Sequence, residues 1–320
     1  MILITGGLGF IGTHTARALL DLGESCVLVQ RRSVTALPAA LAAEHGTRLF
    51  VEQADLADRD RLREIGDRHQ VTGIVHLAGS VPWPPGPGDP VEAARAALDS
   101  LLNVVRAAAE RKVARVVTAS TIGVYSGAET GAGPLEEDLP LPMTTGHVIP
   151  AFKKIGELLT DHLTAATGVD LVNARISAAW GPLGRPASVF FAAPQLVHAA
   201  ARGTVPDLSA LYVPAHADHG TDLIYAKDCG RALALLQQAP RLNHRTYNVA
   251  SGRITTNADI TAALAPAMRI DLPAGRAPQA PADICLDITR LHQDTGYTPA
   301  YDTARAVADY LAWLGAGNAR

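Results

Sequence analysis

The sequence has little of what marks a secreted, membrane-spanning or nucleic-acid-binding protein. Its three cysteines, Cys26, Cys229 and Cys285, are odd in number, far apart and without metal-ligand spacing. That usage is typical of reduced thiols in the cytosol. No apolar run is long enough to cross a bilayer, and the first apolar run begins at residue 2. We therefore expect no signal peptide, no membrane segment and a cytoplasmic protein.

Charge is also scarce. Charged residues make up 18% of the 320 residues, and the formal net charge is −3. This balance gives no reason to expect nucleic acid or an anionic membrane as a partner. No spacing of potential ligands indicates a metal site. The length and a hydrophobic content of 48% suit a nucleotide-binding domain with a smaller second one.

The most informative stretch is ILITGGLGFIG at the N-terminus. An apolar run predicts a buried strand, the glycines predict a tight turn, and a helical pattern follows. This is the context of the dinucleotide fingerprint. Gly6 allows the turn, Gly9 lets the backbone approach a pyrophosphate, and Gly12 lets the helix pack on the strand. Phe10 and Ile11 open the helix whose N–H groups would bind the diphosphate. A purely structural turn is the alternative.

The second predicted strand ends in Gln30, Arg31 and Arg32. An acidic residue normally stands there and accepts the ribose hydroxyls of NAD. Glutamine does not repel a 2′-phosphate, and two guanidiniums can pair with one. The sequence therefore predicts NADP(H), with NAD(H) also possible and two solvated arginines as the alternative. Asp55 and Leu56 are expected at the adenine edge of the cofactor.

Alternating strands and helices predict an α/β fold, a Rossmann-type doubly wound parallel sheet. Further strands are predicted near 50–51, 74–79, 113–119 and 171–176, and helices over 62–69, 90–111 and 151–164. We expect residues 1–177 to form the nucleotide-binding domain, with 221–250 returning to it. Residues 178–220 and 251–320 are expected to form a smaller, interleaved substrate-binding lobe.

Ligands of open α/β sheets bind at the carboxyl ends of the strands. The fourth predicted strand ends at Leu77, Ala78 and Gly79, which we expect to contact the cofactor. The proline-rich loop that follows carries Ser80 and Trp83. An aromatic ring on a stiff loop at this edge predicts contact with the substrate.

In this order the motifs resemble those of the extended short-chain dehydrogenases/reductases, the NAD-dependent epimerase/dehydratase family. The resemblance spans nearly the whole chain. Beyond the glycine turn it rests on Asp55-Leu56, Val75 to Ala78, Ser120 to Tyr125, Lys153, Gly156-Glu157, Arg175, Gly181-Pro182, Asp228, Tyr247 to Val249 and Gly296-Tyr297. It implies a nicotinamide cofactor, with Ile176 among its contacts. It also implies a catalytic Ser or Thr after the fifth strand and a Tyr-x-x-x-Lys pair on the next helix.

The catalytic set is incomplete. Thr121 matches the hydroxyl residue that would hydrogen-bond a reacting carbonyl. Lys153 matches the lysine that, in the family, holds the nicotinamide ribose and lowers the tyrosine pKa by its charge. The tyrosine position is Ile149, and choosing Lys154 as the lysine would place Pro150 there. Isoleucine cannot donate a proton, so the usual general acid is missing.

Other departures concern the substrate. Ile122-Gly123 replaces the acidic pair of the family's dehydratases, and Ala178 stands where nucleotide-sugar epimerases carry an asparagine that binds the diphosphate. Arg276 matches a family arginine that holds a nucleotide phosphate, which keeps a sugar nucleotide open. The candidate substrate-contacting side chains are largely apolar, although core packing is the alternative for each: Trp83, Ile149, Trp180, Phe190 and Phe191.

These features, with a resemblance to atypical reductases of this family that lack the tyrosine, imply an NADPH-dependent ketoreductase of an antibiotic or other secondary-metabolite pathway. It would reduce a ketone of an aromatic, angucyclinone-like polyketide, a small hydrophobic partner. A phenol conjugated with the ketone can delocalise the charge that hydride arrival creates, which would replace the missing acid; His147 is another candidate donor. The alternatives are a nucleotide-sugar epimerase or reductase and an inactive NADP-binding sensor. Relatives often dimerise through the helices near 91–111 and 151–164, so a monomer and a homodimer both remain open.

Overall fold

The computed structural model describes residues 1–34, 36–79, 88–129 and 133–320. The strands are β1 (Ile2–Thr5), β2 (Cys26–Gln30), β3 (Leu49–Gln53), β4 (Gly73–His76), β5 (Arg115–Thr121), β6 (Asp170–Ile176), β7 (Ala178–Trp180), β8 (Gly220–Tyr225), β9 (Thr246–Val249) and β10 (Ile254–Thr256). Seven of them form a sheet in the order β3-β2-β1-β4-β5-β6-β9, and every neighbouring pair in it is parallel. The order reverses between β1 and β4. This is the predicted doubly wound Rossmann-type sheet.

Helices cover both faces of the sheet. They are α1 (Phe10–Asp21), α2 (Ala39–Ala42), α3 (Arg59–His69), α4 (Pro90–Glu110), α5 (Val148–Thr167), α6 (Ala193–Arg202), α7 (Ala226–Gln238), α8 (Asn257–Leu264), α9 (Thr289–Thr295) and α10 (Thr303–Gly315). Side chains alternate along β1, so Ile2 and Ile4 join a core with α1 and α7, whereas Leu3 joins another with α3 and α4. Helices α1 and α7 approach closely, since a Cβ on Gly230 would lie 2.4 Å from the His14 backbone.

The structure also contains a smaller, three-stranded sheet with the strand order β10-β8-β7. Strand β8 pairs in parallel with β7 and antiparallel with β10. Its core with α6, α8 and α10 contains Leu196, Ile260 and Tyr310. Trp180, which we expected to face the substrate, is 3% exposed and packs edge-on against Tyr225 with ring centroids 5.6 Å apart. Most of the Trp180 side chain therefore packs in this core.

Segment 221–250, which we expected to return to the nucleotide-binding domain, contributes to both sheets. Strand β9 extends the large sheet beside β6, and α7 packs on α1. Strand β8 lies in the smaller sheet instead. The sequence pattern could not assign these strands to different sheets because both are short and a short strand carries no signal of its partner.

Helix α5 begins at Val148, three residues before the predicted start. Pro150 is tolerated because the N–H groups of a first turn have no partner within the helix. The early start places Ile149 on the first turn of α5, at the carboxyl end of the large sheet.

Candidate functional site

The turn between β1 and α1 requires glycine for steric reasons. Gly6 has a φ of +66°, in the left-handed region. A Cβ on Gly12 would lie 2.2 Å from the Gly6 carbonyl oxygen and 2.7 Å from the Gly7 Cα. Gly9 precedes α1 without a side-chain cap, and the first turn, which includes Phe10, carries no acidic residue. The N–H groups of this turn are therefore available to an anion.

Gln30 closes the other side of the glycine turn. Its amide oxygen, oriented toward the turn, accepts hydrogen bonds from the N–H groups of Gly7 at 2.8 Å and Leu8 at 2.5 Å. Arg31 and Arg32, next in sequence, are exposed, and within the described ranges neither forms an ion pair. Both guanidiniums are thus exposed beside the end of β2, which fits a phosphate contact and solvated arginines equally.

Asp55 and Leu56, which we expect at the adenine edge of the cofactor, follow β3. Asp55 is exposed, and its carboxylate accepts the Ala57 N–H at 3.0 Å. Leu56 is 9% exposed, and its carbonyl accepts a hydrogen bond from Asn103 at 3.0 Å. Of these two residues, only Asp55 presents a polar side chain to solvent.

The end of β4 contains a hydrogen-bonded pair that the sequence analysis missed. The Thr5 hydroxyl oxygen accepts the N–H groups of Leu77 at 3.1 Å and Ala78 at 3.2 Å. It lies 2.8 Å from Nδ1 of His76, to which it can donate. Burial, with the Lys153 charge, lowers the pKa of His76 to about 3, so this imidazole is neutral. Together these bonds fix the loop that leads to Gly79.

Lys153 lies one turn after Ile149 on α5 and is half-buried. Burial lowers the pKa of its ammonium to about 8, and the Glu157 carboxylate opposes that shift. A cavity of about 40 Å³ separates it from β4 and β5 and is bounded also by His76 and Ser120. Lys153 thus carries a proton at neutral pH and can release it more easily than an exposed lysine.

A buried polar network holds α5 against the sheet. Glu157 accepts from Nε and Nη2 of Arg175 at 3.1 and 2.7 Å, and Ser120 also donates to it. Arg175 donates to the Tyr125 hydroxyl at 2.8 Å, which donates to Asn248 at 2.8 Å. Burial raises the pKa of Tyr125. Tyr125 is thus a structural partner in this network and is not placed to replace the missing acid.

The cavity that holds most of the predicted substrate contacts, here called the main cavity, has a volume of about 430 Å³. It is bounded by the carboxyl end of β5 and by the amino ends of β7 and β8. Thr121, Ile149, Ala178 and Phe190 all line it, so the fold brings these four predicted residues together. The Thr121 oxygen accepts the Gly123 N–H at 3.2 Å, which leaves the hydroxyl proton free to donate. Among the described residues that line the cavity there is no Asp, Glu, Lys or Arg.

An aromatic cluster around Phe190 and three residues that were not predicted complete the cavity wall. The ring of Phe190, 48% exposed, stacks on His147 with centroids 5.5 Å apart and meets Tyr212 edge-on at 5.6 Å. Burial lowers the pKa of His147 and of His219. Tyr212, Ser177 and His219 also line the cavity. Tyr212 and His219 could not be predicted because most of 183–220 has no regular hydrophobic period. Ser177 directly follows β6 and belongs to no motif that marks it.

Other candidates lie apart from this cavity. Arg276 pairs with Asp283 at 2.6 Å and donates to two backbone carbonyls, and it does not line the cavity. Ile176 is 6% exposed and belongs to the core beneath α1 and α7. Ser80 and Trp83 lie outside the described residues.

A second cavity, of about 480 Å³, lies beside the glycine turn. It is lined by Leu8, Gly9 and Phe10 on one side and by Arg185 and Phe190 on the other. Phe190 therefore stands between the glycine turn and the main cavity. A ligand bound at the turn and one in the main cavity would meet near this ring.

Within the part of the chain that the structure describes, no group of three or more His, Cys, Asp or Glu side chains could hold a metal ion. None of the described helices has the length and apolar character needed to cross a membrane. The anion-binding turn, the ammonium of Lys153 and the uncharged cavity lie along the carboxyl edge of one parallel sheet. This arrangement defines a dinucleotide-binding α/β protein.

Comparison with known proteins identifies the family. The sequence profile of the NAD dependent epimerase/dehydratase family matches residues 2–250, and the chain belongs to that family. This confirms the family inferred from the sequence motifs.

Relatives are similar over nearly their whole length. The UDP-glucose 4-epimerase of Neisseria meningitidis is 25% identical over 98% of this chain and 96% of its own. The UDP-N-acetylglucosamine 4-epimerase from Methanobrevibacter ruminantium, solved with UDP-N-acetylmuramic acid, has a TM-score of 0.80 at 22% identity and covers 99% of this chain and 98% of its own. The Thermus thermophilus UDP-glucose 4-epimerase, solved with NAD, has a TM-score of 0.76 at 20% identity and covers 100% and 99%. At these identities the structural likeness establishes the fold.

Proposed function

We propose that this protein is an NADPH-dependent ketoreductase that reduces an aromatic ketone of the polyketide class without a tyrosine acid. The observation that carries the proposal is Ile149 on the wall of an uncharged cavity, beside Thr121 and one turn before Lys153. The position from which the family's tyrosine would donate is apolar here. A flat, hydrophobic substrate fits such a wall better than a sugar diphosphate.

The cofactor proposal rests on the glycine turn. The space around Gly12 excludes any side chain, and the uncapped start of α1 offers N–H groups to a pyrophosphate. Neutral Gln30 with the free Arg31 and Arg32 supports a 2′-phosphate and thus NADP(H) over NAD(H). When bound, a nicotinamide cofactor supplies the hydride.

The chain's own residues orient the substrate and stabilise charge. The free proton of the Thr121 hydroxyl can hydrogen-bond the ketone oxygen, where negative charge develops. Lys153, charged at neutral pH, can hold cofactor hydroxyls and favour that negative charge. The apolar side chains of Ile149 and Phe190 can hold an aromatic ring in position. A phenol next to the ketone can transfer its proton to the alkoxide oxygen that forms as hydride adds to the carbonyl carbon. The charge then rests on a phenolate, which takes its proton back from water.

A nucleotide-sugar epimerase is the second candidate, and the relatives favour it because those named above carry that description. The cavity argues against it, since a diphosphate needs cationic or N–H donors and no described Lys or Arg lines the cavity. Arg276 would have to leave Asp283 to reach a phosphate.

The first experiment is a fluorescence titration with NADPH and NADH, continued as an NADPH-consumption assay. The substrates are phenolic polycyclic ketones and UDP- or dTDP-sugars. We expect NADPH oxidation with the phenolic ketones alone. Binding of a UDP-sugar that is lost in Arg276→Ala and kept in the exposed control Arg269→Ala would establish the epimerase instead. Tight NADPH binding with no turnover of either class would identify an inactive sensor.

Alanine substitutions separate substrate assistance from a displaced acid. If the phenol supplies the charge delocalisation, Thr121→Ala and His147→Ala each retain measurable turnover of a phenolic ketone. Complete loss in His147→Ala, with NADPH binding unchanged, would make His147 the general acid and would refute substrate assistance.

A further inference from the structure

A buried carboxylate lies directly behind the main cavity. Asp222 on β8 is 0% exposed. One of its oxygens accepts the N–H and the hydroxyl of Ser251, both at 2.8 Å, and the other accepts the N–H groups of Gly252 at 3.0 Å and Leu286 at 3.3 Å. Backbone N–H groups can only donate. Burial raises the pKa of Asp222, and this fixed set of donors opposes that shift. Both carboxylate oxygens are already occupied by donors, so toward these partners the carboxylate acts as an acceptor.

Ser177 connects this carboxylate to the cavity. It follows β6, its N–H donates to the Val249 carbonyl at 3.0 Å, and the residue is 5% exposed. Its hydroxyl donates to Asp222 at 3.2 Å, and the residue lines the cavity next to Ala178. A serine whose proton is engaged in this way offers only oxygen lone pairs to a ligand.

We propose that Ser177 is a specificity-determining residue that accepts a hydrogen bond from a hydroxyl group of the substrate. The inference rests on the proposed ketoreductase function and adds the polar group that its hydrophobic substrate carries. With Asp222 behind it, the Ser177 oxygen accepts a phenolic O–H and cannot donate to an ether or a second carbonyl at the same place. The cavity then selects hydroxylated aromatic ketones over their methyl ethers.

The test compares ligand pairs across variants. The probes are 1-tetralones with one hydroxyl at each ring position in turn, each paired with its methyl ether, and their binding to the NADP⁺ complex is followed by tryptophan fluorescence. In the wild type we expect one hydroxylated isomer to bind about tenfold more tightly than its ether, the size of one neutral hydrogen bond. Ser177→Ala should remove that preference. Ser126→Ala, the same change at an exposed residue lining the same cavity, should keep it.

The outcomes separate this proposal from the function on which it rests. A preference that survives in Ser177→Ala, or no preference at any ring position in the wild type, overturns the role of Ser177 even if ketones are reduced. A preference lost only in Ser177→Ala, with no NADPH oxidised, supports the hydrogen bond and refutes the reductase. Cofactor titration of Ser177→Ala checks its fold; if that variant does not bind NADP⁺, the wild-type isomer series decides alone.

Discussion

Gly12 lies so close to Gly6 that a Cβ on residue 12 would be 2.2 Å from the Gly6 carbonyl oxygen. The colliding atom is backbone and cannot rotate away. We expect Gly12→Ala to displace the turn, to lower the free energy of unfolding by about 1–3 kcal/mol, and to abolish NADPH binding. Urea unfolding and fluorescence titration measure the two effects.

Gly315→Ala is the matched control for that substitution. Gly315 ends α10, and a Cβ there meets nothing within 4 Å. Alanine should be neutral or slightly stabilising at this position. NADPH binding retained in Gly12→Ala would show that the close approach of the helix to the turn is not needed for the cofactor.

Arg31 and Arg32 should decide the choice of cofactor. We expect the double change Arg31→Ala/Arg32→Ala to weaken NADPH binding about ten- to a hundredfold and to leave NADH binding nearly unchanged, because only NADPH carries the 2′-phosphate. The difference should shrink at high salt, since both side chains are exposed. Arg63→Ala, at an exposed arginine on α3, is the control. Equal loss for both cofactors would contradict a phosphate-specific role.

Ile149→Tyr tests the missing acid directly. A tyrosine on this turn of α5 would enter the main cavity four residues before Lys153. It restores a donor for ketones without a phenol but narrows the space for a polycyclic phenol. General acids contribute about 10²–10⁴-fold. We expect the ratio of kcat/KM for a non-phenolic over a phenolic ketone to rise at least about tenfold.

Ile155→Tyr controls for the chemical change, because Ile155 lies on the exposed side of α5. It should leave the ratio of the two ketones unaltered. A ratio that also stays constant in Ile149→Tyr, with NADPH binding intact, would mean that the acid does not act from this position.

Lys153 should produce a pH dependence of turnover. Burial lowers the pKa of its ammonium to about 8, so the charge is present below that pH and is lost above it. We expect kcat/KM for a phenolic ketone to fall as the pH rises through about 8. Lys153→Met should have a lower kcat/KM, and its kcat/KM should not fall as the pH rises through about 8. Since the phenol titrates equally in both enzymes, a fall that persists in the variant would belong to the substrate.

Lys153 also predicts how stability depends on pH. Stability should rise with pH, whereas turnover should fall. The pKa of Lys153 is about 8 when folded against an ordinary 10.5, so the unfolded chain binds more protons between these values. The free energy of unfolding should therefore rise with pH across this window relative to that of Lys153→Met. Urea unfolding of both proteins at pH 7, 8 and 9 measures the difference. A difference that stays constant with pH would show that burial does not perturb this ammonium.

The sequence by itself determined the β1-turn-α1 unit, the parallel α/β sheet and the absence of the tyrosine at Ile149. Each of these follows from short-range patterns: glycine spacing, apolar periodicity, and one residue's place relative to Lys153. Thr121, Ile149, Ala178 and Phe190 line one cavity. The roles assigned to them stay predictions.

Only the tertiary structure decided which distant segments meet. It placed β8 in the smaller sheet, paired Arg276 with Asp283, and brought Asp222 behind Ser177. Such contacts join residues far apart in sequence, so no local period reports them. The shift in the pKa of Lys153 likewise depends on how deeply packing buries it. Local steric constraints depend on residues that are neighbours in sequence, whereas burial and side-chain pairing depend on how the whole chain packs.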